Sequence, residues 1–103
     1  MSVLMQFAIF PTDKGASASS YVSRVISMIR DSGLPYQLSA MGTIIETETL
    51  EEAQMIVNQA YTLLKTDCGR VYCTATFDIR EGQSGRLLKK VESIESKIGP
   101  VNH

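Results

Sequence analysis

Tyr72, Thr74, Thr76 and Asp78 stand at every second position of the segment RVYCTATFDIR, which runs from Arg70 to Arg80. Successive residues of a strand face opposite sides of a sheet, so these four share one side with Arg70 and Arg80. Three hydroxyls and a carboxylate between two arginines make a hydrogen-bonding set suited to holding a small polar ring. A merely solvated face would favour Lys and Glu. Val71, Cys73, Ala75, Phe77 and Ile79 fall on the other side, which is predicted to be core. The pattern describes recognition and contains no catalyst.

The elements that must position this strand follow from periodicity. Val3 to Phe10 is a nearly continuous apolar run, expected of a central strand, and Pro11 stops it. A loop from Thr12 to Ser17 leads into a helix over 18–32, with Val22, Val25, Ile26 and Ile29 at i, i+3, i+4, i+7 spacing and Gly33 as its stop. Tyr36 to Ser39 and Thr43 to Thr47 read as short strands joined by the turn Ala40-Met41-Gly42. Thr49 and Glu52 form a capping box for a helix over 50–65, striped by Ala53, Ile56, Val57, Ala60 and Leu64. After the alternating strand, Glu81 to Gly85 is a loop. Leu87, Leu88, Val91, Ile94 and Ile98 then mark one face of a last helix.

Composition narrows the class. A chain of 103 residues, 44% of them apolar, can bury one modest core and forms a single domain over 1–103. A net charge of −1 with interspersed signs offers no footprint for nucleic acid or an anionic membrane. The apolar start, MSVLMQFAIFP, lacks a basic leader and is too short to span a bilayer. Cys68 and Cys73 are too few for a disulfide scaffold, which points to reduced thiols and a cytoplasmic setting.

The order strand, helix, strand, strand, helix, strand, with an added C-terminal helix, is the ferredoxin-like α+β pattern. Right-handed crossovers place the strands 4-1-3-2 with the two main helices on one face. The other face is then expected to be bare, carrying Leu4, Gln6, Ala8, Phe10 and Ile44 beside Thr74, Thr76 and Asp78. Such a face is too apolar to leave wet, so a homodimer or homotetramer joined through the sheets is expected.

FAIFP near the start, SGLPYQLSAMGTIIE in the middle, and RVYCTATFDIR with KKVESIESKI towards the end make the chain similar, nearly end to end, to the UPF0045 family of small thiamine-binding proteins, the YkoF-like group. Thr47 departs from the pattern, standing where a glycine is expected after the Ile-Glu pair. The resemblance implies a ferredoxin-like oligomer that binds thiamine or its hydroxymethylpyrimidine portion, without catalysis and without a cofactor. It implies ligand contacts from Gln6, Thr74 and Thr76 to the pyrimidine, and from Asp78 or Glu46 to the amino group or the cationic thiazolium. Phe10 or Tyr72 would supply an aromatic wall. Thr43 completes the candidates, although Met41-Gly42-Thr43 also reads as a plain turn. The rival readings are a strand threonine present for β-propensity, an Asp78 paired with Arg70 or Arg80, and a Glu46 at the surface or in an interface.

Enzyme classes with this topology lack their parts. An acylphosphatase needs an arginine in the loop after the first strand, where this chain has only Lys14. The sole histidine, His103, sits at the C-terminus, which leaves nucleophile–base catalysis without a base and a zinc site without ligands. RNA-recognition modules need aromatic and basic residues on the sheet. The remaining alternative is a structural or regulatory oligomer that binds another small metabolite.

Overall fold

The computed structural model describes residues 1–103. Four strands, β1 (Ser2–Pro11), β2 (Tyr36–Ser39), β3 (Gly42–Thr47) and β4 (Val71–Arg80), form one antiparallel sheet in the order β2-β3-β1-β4. The helices are α1 (Ala18–Asp31), α2 (Leu50–Lys65) and α3 (Arg86–Ile98), with a single 3-10 turn at Gly15–Ser17 before α1. This is the expected ferredoxin-like order, and Pro11 closes β1 from inside, opposite Val71, instead of lying beyond it.

The period-two pattern of β1 decides where the core lies. Val3, Met5, Phe7 and Ile9 are buried beneath Val25 and Ile29 of α1 and Ala53, Ile56, Ala60 and Leu64 of α2, with Ile45 from β3. Thr49 caps α2 as expected, its hydroxyl accepting from the Glu52 amide at 3.1 Å. The Glu52 carboxylate accepts from that hydroxyl at 3.2 Å and does not reach back to the Thr49 amide. Gly42 has a structural reason to be glycine: a Cβ there would stand 2.9 Å from the Phe7 carbonyl oxygen, so the hairpin could not close on β1. Thr47, the departure from the family pattern, pairs with Val3, and its hydroxyl donates to the Thr49 carbonyl at 2.8 Å, closing the loop a glycine would have left open.

Two expectations about the sheet faces are corrected. The face opposite α1 and α2 is not bare: α3 contacts β1 and β3, its first turn pinned there, and Leu4 and Ile44 are half-buried. The apolar side of β4 is not core. Cys73, Ala75, Phe77 and Ile79 are exposed, because β4 is the outermost strand and the helix layer is centred on β1 and β3. Alternation states which residues share a side, whereas burial depends on what overlies it.

Candidate functional site

The strand register separates the predicted site residues into three groups. Gln6 opposite Thr76, Ala8 opposite Thr74 and Phe10 opposite Tyr72 are adjacent pairs on the face turned away from α1 and α2. Gln6, Thr74 and Thr76 therefore come together as expected, in an exposed polar row ending at the Phe10 and Tyr72 rings, whose centroids are 5.6 Å apart.

Phe10 belongs as well to the second group. Beyond Phe7, β1 outruns its pairing with β3, and an opening of about 360 Å³ lies between the end of β1, α1 and the β2–β3 hairpin. Its wall is mostly apolar: Phe7, Ile9, Phe10, Val22, Ile26 and Met41 among others, with Ser39 and Thr43 as the hydroxyl-bearing side chains. Ser39 is occupied in the turn, donating to the Gly42 carbonyl at 2.9 Å and accepting from the Met41 amide at 3.3 Å. Thr43 is 3% exposed and pairs with Phe7, on the α1 side of the sheet, so its hydroxyl is the polar handle of this cavity. Cavities of this size accommodate a small ring system.

The third group is structural. Both Glu46 oxygens are engaged: Oε2 accepts from the Ser2 hydroxyl at 2.6 Å and the Arg86 amide at 3.0 Å, and Oε1 accepts from the Leu87 amide at 3.1 Å. A carboxylate on the first amides of a helix satisfies donors that α3 cannot satisfy itself. Burial pushes the Glu46 carboxyl up, but the Ser2 hydroxyl, the Arg86 and Leu87 amides and the Arg86 charge outweigh it, and the net shift is below the ordinary 4.5. Asp78 pairs with neither Arg70 nor Arg80. Its Oδ2 lies 3.1 Å from Arg86 Nη1, and Arg86 also donates to the Ser2 and Asp78 carbonyls at 2.9 and 2.6 Å. Glu46 thus anchors α3 and has no oxygen to offer a ligand, while Asp78 remains largely exposed beside its guanidinium partner. Sequence reasoning missed Arg86 and Ser2. The one signal was an arginine directly after Gly85, a residue whose φ of 63° turns the chain into α3.

No group of three or more His, Cys, Asp or Glu side chains is placed to hold a metal ion. Both cysteines are free, and partial burial raises the Cys73 thiol above its ordinary value, which disfavours the reactive thiolate. No helix is long and apolar enough to cross a membrane.

Fold and cavity together define a small ferredoxin-like protein with a site sized for a small molecule. Residues 5–95 match the family described as "Thiamine-binding protein". The UPF0045 protein of Mycobacterium bovis is 35% identical over 95 residues, covering 92% of this chain and 93% of its own. That of Methanothermobacter thermautotrophicus is 36% identical over 83 residues, covering 80% and 84%. Among solved structures, a hypothetical protein of Methanocaldococcus jannaschii superposes with a TM-score of 0.79 at 29% identity, over 90% of this chain and 95% of that one. A Thermotoga maritima protein provisionally assigned to thiamine biosynthesis or salvage gives the same TM-score at 20% identity, over 91% and 99%, a likeness of fold. The chain belongs to the UPF0045 family of thiamine-binding proteins.

Proposed function

We propose that this protein binds thiamine or a related hydroxymethylpyrimidine compound, unchanged, as a cytoplasmic homo-oligomer. The observation that carries the reading is the cavity beside Phe10 and Thr43, which adjoins the polar row of Gln6, Thr74 and Thr76 through Ala8 and Phe10. An aminopyrimidine has apolar ring faces and a polar edge, and this junction offers apolar walls next to hydroxyls and an amide. The thiazolium is a cation. With Glu46 committed to α3, the Phe10–Tyr72 ring pair is its best partner, worth about 0.5–2 kcal/mol, with Asp78 as a more distant charge. Binding without turnover is supported by a site whose polar groups are hydroxyls and amides with no base beside them.

Calorimetric titration with thiamine, thiamine monophosphate and hydroxymethylpyrimidine tests the reading. Saturable binding of at least one is expected, and Thr43→Val should weaken it by about 0.5–1.5 kcal/mol, the net value of one hydrogen bond. Absence of binding by all three removes the proposal, and protein-dependent conversion of any of them removes its non-enzymatic part.

A further inference from the structure

β4 pairs with β1 without interruption from Arg80 to Val71, and its other edge has no strand beside it. The Thr12 amide donates to the Arg70 carbonyl at 2.9 Å. Carried along the unbroken register, this turns the backbone groups of even-numbered β4 residues towards β1 and those of odd-numbered residues outward. A long flat edge of unpaired groups invites another strand, and proteins blunt such edges with Lys, Pro, a bulge or a covering element. β4 has no Lys, no Pro and no bulge, and every residue after Val71 is exposed. Phe77 and Ile79 are 36% and 47% exposed on one side of it, and Tyr72 is 50% exposed on the other.

We propose that this edge docks a second copy of the chain, β4 against β4, antiparallel, in the register that sets Thr76 opposite the partner's Thr76. Outward-pointing groups must meet outward-pointing groups, so only residues of equal parity can stand opposite each other. Two such registers use nearly all of the strand. Centring on Ala75 overlaps Val71–Ile79 but brings Arg70 against the partner's Arg80, twice by symmetry, and like charges directly opposite are unfavourable. Centring on Thr76 overlaps Tyr72–Arg80 and brings Tyr72 against the partner's Arg80, a cation over a ring, and Thr74 against the partner's Asp78, a hydroxyl beside a carboxylate. It also covers Ile79 with the partner's Cys73 and Phe77 with the partner's Ala75. Registers displaced further leave Ile79 or Tyr72 outside the ladder. Because Gln6 stands beside Thr76, the same register gathers Gln6 and Thr76 from both copies around the two-fold axis, making the polar row continuous across the two protomers.

Single cysteines test the register without any ligand, so the outcome is independent of the thiamine titration. In a Cys73→Ser background, Thr74→Cys, Ala75→Cys and Thr76→Cys are each subjected to copper-catalysed air oxidation and separated by non-reducing electrophoresis, with Cys73→Ser alone as the control for buried Cys68. Thr76 would form a pair without mutual backbone hydrogen bonds, with Cα atoms about 4.5 Å apart, a spacing that admits a disulfide. Thr76→Cys is expected to give a covalent dimer at least tenfold faster than the other two, and sedimentation of the unoxidised protein to show a dimer or a multiple of it. Faster crosslinking at position 74 or 75, no crosslinking at any of the three, or a monomer at the concentration oxidised would each overturn the proposal.

Discussion

Two carboxylates that look alike in sequence differ in consequence once their partners are known. Asp78 is largely exposed and meets Arg86 through one oxygen, whereas Glu46 is 7% exposed and both its oxygens accept hydrogen bonds. Asp78→Asn should therefore lower stability by about 0.2–1 kcal/mol, the range of exposed pairs. Glu46→Ala strands the first amides of α3 and the mostly buried Arg86 side chain, and should lower it by about 2–4 kcal/mol. Chemical denaturation of both variants checks the order, and equal losses would contradict this account of the anchor. Thr74, Thr76 and Gln6 were legible because a period-two pattern fixes neighbours across strands. Glu46 was not, because the donors it serves lie forty positions further along the chain and leave no local mark.

At the level of elements, α3 is an attachment. It has no fully buried residue, and its start is fixed by Glu46, Ser2 and Arg86. The Glu46 carboxyl is lowered in the fold, so its contribution is complete above its unfolded value of 4.5 and disappears as pH falls through the folded one. Acid should therefore loosen α3 before the α1–α2 core, and the backbone amide resonances of Arg86 and Leu87 should report release below about pH 4.5 while those of Val25 and Ile56 stay in place. Simultaneous loss of both sets would show that α3 is not a separate unit. In the β2–β3 hairpin, Gly42→Ala forces a Cβ against the Phe7 carbonyl and should cost about 1–3 kcal/mol while disturbing the cavity, a change visible as a lower melting temperature together with weaker ligand binding. β2 and α2 were readable to the residue because turn and cap signals flank them. The site of α3 was not, because the stripe Leu87, Val91, Ile94 says that a helix face is apolar without saying which surface receives it.

The whole molecule has the proportions of one part of an assembly. Its radius of gyration is 14.9 Å, where about 13 Å is usual for 100 residues, and it extends 45 × 29 × 21 Å. Twelve apolar residues are buried, while Tyr72, Phe77, Ile79, Leu88 and Ile98 stay in contact with solvent on β4 and α3. A chain that leaves this much apolar surface outside its own core gains stability from association, and linkage then makes unfolding depend on protein concentration. The melting temperature of the wild type should rise by several degrees over a hundredfold increase in concentration, since a gain of about 1–3 kcal/mol corresponds to a shift of that order for a domain of this size. Ile79→Lys places a charge on the helix side of the β4 edge, where lysine prevents strand pairing, and Ile79 is exposed enough that the core is untouched. This variant should melt at a temperature independent of concentration, near the low-concentration limit of the wild type. A wild type already independent of concentration, or an Ile79→Lys variant that keeps the dependence, would show that the β4 edge is not where the protomer completes itself.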